Sequence, residues 1–100
     1  MVDITYQNGA VIAKLYGEID HHIAPNIRGE IDACCENYRP ARLILDYGGV
    51  SFMDSSGIGL VMGRYRMISL IGGRLEVVNV PDGLRKIFTL SGLDKLGVMK

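Results

Sequence analysis

The stretch Ser51-Phe52-Met53-Asp54-Ser55-Ser56-Gly57-Ile58-Gly59-Leu60 decides how this chain folds. A buried-strand pattern, Leu43-Ile44-Leu45, precedes it, and a long apolar helix pattern over residues 58–71 follows it. The polar cluster Asp54-Ser55-Ser56 therefore falls at the junction of a strand and a helix. Asp and Ser are preferred at helix N-termini because a side-chain oxygen can accept a hydrogen bond from an unpaired amide of the first turn. The stretch predicts a loop that delivers two hydroxyl groups to the start of a helix.

Composition indicates one small globular domain over residues 1–100. Apolar residues make up 48% of the 100 residues, which argues against disorder. Eleven basic residues balance eleven acidic ones, so the chain as a whole has no attraction for nucleic acid or for an anionic membrane. Neither a signal peptide nor an apolar run long enough to span a bilayer is present, and we expect a cytoplasmic protein without membrane insertion.

Turn residues and hydrophobic periodicity divide the chain into strands and helices. Asn8-Gly9 is a strong hairpin signal, Gly48-Gly49 is expected to break the third strand, and Gly72-Gly73 ends the second helix. The predicted strands cover residues 2–7, 10–16, 41–47, 75–80 and 96–99, and the predicted helices cover residues 24–37, 56–70 and 84–90. Alternation of strand and helix after the hairpin favours an α/β fold with a mixed, mostly parallel sheet of about five strands and three helices.

Three further features of the sequence suggest a binding site, but each lacks residues that such a site needs. The glycines that open the second helix, Gly57, Gly59 and Gly63, loosely resemble a nucleotide-binding loop, but no Lys-Ser or Lys-Thr pair follows them. Adjacent His21 and His22 have too few partners for a metal site, so no metal or other cofactor is expected. The adjacent thiols Cys34 and Cys35 are also expected to stay reduced and metal-free.

The two serines remain the strongest candidates for a functional role. Serine catalysis needs a histidine base and an orienting acid, and no Gly-x-Ser-x-Gly elbow is present, so no catalytic residue is assigned and the chain is expected not to be an enzyme. A serine at a helix N-terminus serves either as a cap or as a site of modification. A phosphoryl group is favoured there by the helix dipole and by free amides.

Two stretches resemble the anti-sigma-factor antagonists of the STAS domain class, most closely the sporulation members. They are Gly17-Glu18-Ile19-Asp20-His21-His22 and the run from Phe52 through Asp54-Ser55-Ser56-Gly57 to Gly63-Arg64-Tyr65, and Leu90-Ser91-Gly92-Leu93 fits as well. The resemblance covers nearly the whole chain and implies the STAS fold. Members of this type usually carry a further C-terminal helix, so the resemblance also implies that this chain stops short of it, as a shortened or naturally short member.

The resemblance implies a partner switch. An anti-sigma factor that is also a serine kinase holds a sporulation sigma factor inactive, and the unphosphorylated antagonist binds this kinase and releases the sigma factor. The kinase, which carries the ATP or ADP, can instead phosphorylate the antagonist, and a serine phosphatase of the PP2C type restores it. By motif position the acceptor is Ser55. The free antagonist is expected to be a monomer.

Contacts with the kinase are expected around the acceptor serine. Glu18 and Asp20 are expected to meet basic groups, whereas Ile58 and Met62 supply apolar contact. The full expected partner-binding set is Glu18, Asp20, Asp54, Ser55, Ser56, Gly57, Ile58 and Met62. Two alternatives stay open: a STAS module of a stressosome-type or other partner-switching system, and a small nucleotide-binding protein that uses the glycine loop.

Overall fold

The computed structural model describes all 100 residues, folded as a four-stranded sheet with three helices. In chain order the elements are β1 (Val2–Gln7), β2 (Ala10–Ile19), α1 (Ala24–Tyr38), β3 (Arg42–Met53), α2 (Ser55–Leu70), β4 (Arg74–Val78) and α3 (Asp82–Leu90), followed by a short 3-10 helix (Leu93–Leu96). The strands lie in the order β1-β2-β3-β4. The β1–β2 pair is antiparallel and the other two pairs are parallel, so the predicted mixed α/β sheet is confirmed with four strands instead of about five.

The core forms where strand alternation meets the apolar stripes of the helices. Alternate residues over 11–15 of β2 and 43–47 of β3, such as Val11, Leu15, Leu43 and Leu45, are almost fully buried, whereas the residues between them are half-buried or exposed. Helix α1 buries one apolar face, and of the two adjacent thiols Cys35 is the buried one. The helices therefore cover one face of the sheet.

Tyr47 joins the centre of the sheet to two helices. Its hydroxyl donates a hydrogen bond to the backbone oxygen of Gly57 at 3.1 Å, and its ring meets Phe88 of α3 edge-on with centroids 5.3 Å apart. The side chain is fully buried, and this burial raises the pKa of the phenol. The start of α2 is thus fixed to the middle of β3 by a buried polar contact.

Two of the predicted strand ends were wrong at the same place in the sheet. Strand β2 continues to Ile19, where a loop was expected, and β3 continues through Gly48-Gly49, where a break was expected. The register of the β2–β3 pair shifts between Lys14 and Tyr16. A β-carbon added to Gly49 would lie 2.9 Å from the β-carbon of Tyr16. Gly49 therefore permits a close approach of two strands at a bulge and does not end either one.

The predicted last strand over residues 96–99 was also wrong. The 3-10 helix ends at Leu96, and Gly97, at φ +71°, turns the chain back toward β4. Only Met99 pairs with the sheet, through a parallel bridge to Val77. Strand β4 likewise ends at Val78 and not at Val80, because Asn79 takes a left-handed conformation at φ +58°.

Candidate functional site

The start of α2 is capped by an aspartate. Asp54 has extended backbone angles, and its Oδ1 accepts a hydrogen bond from the Ser56 amide at 2.8 Å. This amide hydrogen bond is the largest cause that lowers the pKa of the Asp54 carboxyl below its ordinary value. Because the carboxylate performs the capping, neither neighbouring serine is needed for it, and the helix begins at Ser55, one residue earlier than predicted.

The two serines are placed differently. Ser55 is exposed at the first helical position, whereas Ser56 is half-buried and faces a cavity between α1 and α2. A group added to the Ser55 hydroxyl would project into solvent beside the amino end of the helix, where negative charge is stabilised. Of the two hydroxyls, the one assigned by motif position is therefore the more accessible.

The ends of β2 and β3 bring the acidic loop to the capped helix. Ile19 pairs with Met53, and the Asp54 amide donates to the Ile19 oxygen at 3.1 Å. Glu18, which is exposed, lies opposite Phe52 in the register. Glu18 and Asp20 therefore lie at the same end of the sheet as the serines, and the region formed by Glu18, Asp20, Asp54 and Ser55 is called the acidic edge below.

Asp20 also has a structural role at this edge. Its Oδ1 accepts hydrogen bonds from the amides of His22 at 2.9 Å and Ile23 at 3.1 Å, which shapes the turn into α1. The bond from Ile23 is the main cause that lowers the pKa of the Asp20 carboxyl. The neighbouring His21 points its Nδ1 at the Asp54 Oδ2, 3.7 Å away, so the turn and the helix cap are in electrostatic contact.

The exposed side of α2 carries an apolar stripe. Ser55, Ile58 and Met62 are three and four residues apart and therefore follow one face of the helix. Met62 is 39% exposed and Ile58 is half-buried. Gly57 faces the other way and is buried, because a β-carbon there would lie 2.6 Å from the Met53 sulfur. Gly57 was expected at the partner-binding surface, but it is buried against Met53 beneath that surface.

Sequence reasoning missed an exposed aromatic side chain at this edge. Phe52 is 54% exposed, an unusual placement for a large apolar residue beside a polar loop. Strand alternation could have predicted this exposure, because successive side chains of a strand point to opposite faces and Met53 is buried.

Arg64 of α2 is buried although it is charged. Arg64 is only 6% exposed and its Nε lies 2.8 Å from the Asp32 Oδ1 of α1. Neither atom has a partner in hydrogen-bonding geometry, so this is a close charge contact with poor alignment. Asp32 is the half-buried counter-charge that connects the two helices.

Comparison with known proteins identifies the fold family. The STAS domain profile matches residues 1–99. The chain belongs to the STAS domain family. A relative from Lysinibacillus sphaericus, an anti-sigma F factor antagonist, is 42% identical over 83 residues, which cover 83% of this chain and 71% of the relative.

Solved STAS structures agree with this assignment. The anti-sigma factor antagonist SpoIIAA in its unphosphorylated form superposes with a TM-score of 0.88 at 34% identity, over 100% of this chain and 86% of SpoIIAA. The Bacillus SpoIIAA in the phosphorylated form gives a TM-score of 0.80 at 34% identity, over 100% of this chain and 89% of that one. This chain is therefore a STAS domain of the anti-sigma factor antagonist type, a class named for regulation and not for catalysis.

The helices were also compared with the requirements of a bilayer. None of them combines the length and the apolar character that crossing a membrane demands.

Proposed function

We propose that this STAS domain is an anti-sigma factor antagonist that is switched by phosphorylation of Ser55. In the unmodified state it binds an anti-sigma factor with serine kinase activity, and the sigma factor held by that kinase is released. ATP or ADP is bound by the kinase. Phosphorylation of Ser55 ends the complex, and a PP2C-type serine phosphatase regenerates the active form.

The observation that carries this proposal is the exposed Ser55 hydroxyl at a helix start that a neighbouring carboxylate already caps. Phosphorylation would leave the Asp54 cap in place, and the new charge would lie at the favourable end of the helix dipole. The fold of the antagonist is therefore expected to survive modification. The similarity of this chain to both forms of SpoIIAA supports the same view.

The switch then acts at the interface. A phosphoryl group adds about −1.5 to −2 charge and new volume at the acidic edge, on the same helix face as Ile58 and Met62. A hundredfold loss of affinity requires only about 2.7 kcal/mol. Burying a dianion without a partner at a packed contact can readily supply a loss of this size.

The principal test is intact-mass analysis after incubation with a purified anti-sigma F factor and ATP. We expect one added phosphoryl group on the native chain, none on Ser55→Ala, and one on the matched control Ser56→Ala. Binding to the kinase in ADP should be retained by both variants. Phosphorylation that persists in Ser55→Ala, or no complex with the kinase in ADP, would refute the proposal.

The acidic edge is tested separately by charge reversal. Glu18→Lys should weaken binding to the kinase, whereas Glu36→Lys, at an exposed position of α1 outside this edge, should not. Asp20→Asn is the suitable change at the second position, since the amide oxygen can still accept the two backbone hydrogen bonds. Equal binding by Glu18→Lys and Glu36→Lys would remove the acidic edge from the interface.

A further inference from the structure

A cavity beside Ser56 is not used by the proposed switch. It lies between the first turns of α1 and α2 and has a volume of about 270 Å³. Its walls are formed by His21, Ala24, Pro25, Arg28, Ser56, Gly59, Leu60 and Arg64. The apolar part of this lining contains no Phe, Tyr or Trp on which a nucleobase could stack, so the lining is suited to a small polar ligand.

Arg64 supplies the first sign of what that ligand is. The side chain is more than nine-tenths buried, and its Nε lies against Asp32 without forming an aligned hydrogen bond. Burial of such a cation is unfavourable unless its donors are satisfied. Arg64 also lines the cavity, so an anion placed there would lie beside a buried cation whose charge one misaligned carboxylate offsets only in part.

The second sign is the balance of charge. Arg28 lines the same cavity and its charge acts against that of Arg64, while the Asp32 carboxylate offsets the charge of Arg64. Burial is the main cause that lowers the pKa of the Arg64 guanidinium, and Arg28 lowers it further. The lining contains these two arginines and no Asp or Glu, so positive charge borders a partly enclosed space, and an anion bound there would neutralise it.

We propose that this cavity binds a phosphate-class oxyanion, held by Arg28 and Arg64 with the Ser56 hydroxyl beside them. Arginine matches such an anion because its planar fork of donors can contact two oxygens at once. The anion has two possible sources, free phosphate from solution or a phosphoryl group carried by Ser56 itself. Both use the same donors, and they are distinguished by experiment.

Titration of the isolated domain with inorganic phosphate, followed by amide NMR at constant ionic strength, tests the first source. We expect saturable shifts confined to the amides that border the cavity. Arg28→Gln should weaken binding by about tenfold or more, the effect of losing one hydrogen bond to a charged group. Arg66→Gln removes the same charge from an exposed position of α2 outside the cavity and should leave the affinity unchanged.

A cavity-filling variant gives a second, independent readout. A β-carbon on Gly59 would meet nothing within 4 Å, and Gly59 borders the cavity, so Gly59→Leu should fold and occupy the space. We expect this variant to lose phosphate binding while it gains helix propensity.

Phosphoserine incorporated at position 56 tests the second source. If its phosphoryl group enters the cavity, the arginines will lower its second pKa below the usual value of about 6, as measured by phosphorus NMR, and Arg28→Gln will reverse the shift. The proposal is supported by saturable binding of free phosphate or by this reversible shift. It is overturned if phosphate causes only weak, unsaturable shifts that are equal in Arg28→Gln and Arg66→Gln and phosphoserine titrates normally. No kinase is involved, so the outcome is independent of the Ser55 switch.

Discussion

Replacing Asp32 by Asn would remove the only carboxylate in contact with the buried Arg64. The substitution keeps the shape of the side chain, so the change is almost purely electrostatic. Breaking a fully buried ion pair costs about 3–5 kcal/mol, because the remaining charge is left without a partner. The Arg64 side chain is 7% exposed but that of Asp32 is 39% exposed, so solvent already screens part of the pair. We therefore expect Asp32→Asn to lower the free energy of unfolding by about 2 kcal/mol.

Urea unfolding followed by circular dichroism at neutral pH measures this loss. For a domain of this size, about 2 kcal/mol corresponds to a fall of roughly 8–16 °C in melting temperature. The matched control is Glu76→Gln, which removes a carboxylate from the pair with Arg42, where the guanidinium side chain is 49% exposed. Water can solvate Arg42 after the change, so its loss should be clearly smaller. If the two variants lose equal stability, the argument that burial makes the α1–α2 ion pair important is wrong.

Three further predictions concern the start of α2. Tyr47→Phe removes the buried hydrogen bond to the Gly57 oxygen without changing the packing of the ring, and it should lower the free energy of unfolding in urea by about 0.5–1.5 kcal/mol. No measurable loss would mean that this hydrogen bond makes no net contribution to stability. Gly59→Ala, in open space on an exposed helix face, should raise the free energy of unfolding by roughly 0.5–1 kcal/mol, and a loss would show that the site is more crowded than the structure indicates. The folded-state pKa of Asp54 lies below its unfolded value, so its contribution to stability is present above about pH 4 and disappears as the pH falls through the folded pKa. Asp54→Asn, which keeps a capping side chain, should therefore show a shallower loss of stability in acid than the native chain, and identical acid profiles would contradict the assigned role of this carboxyl.

Much of the fold could be predicted from residues that are near one another in the chain. The Asn8-Gly9 turn, the apolar periodicity of the three helices and the polar junction at Asp54 depend on residues that are near one another in the chain. These features were placed to within a few residues. The candidate site was also foreseen in outline, because Glu18 lies at the carboxyl end of β2, Ser55 comes just after β3, and the carboxyl ends of these parallel strands meet at one edge of the sheet.

Contacts between distant residues decided what was missed. Gly49 was expected to interrupt β3, yet it allows the close approach of Tyr16 from β2, a fact that depends on the strand register. The end of the chain was expected to add a strand, yet Gly97 turns it so that only Met99 pairs with β4.

The sequence by itself determined the α/β architecture, the capped helix start and the resemblance that points to Ser55 as the switch. Only the tertiary structure decided that Asp54 and not a serine forms the cap, and that Arg64 lies inside against Asp32. The physical reason is that the spacing of apolar residues along the chain indicates a helix or a strand. Whether a charged side chain is buried depends instead on which other helix packs against its own helix. The cavity between α1 and α2 exists only because two segments far apart in sequence bring Arg28 and Arg64 to the same space.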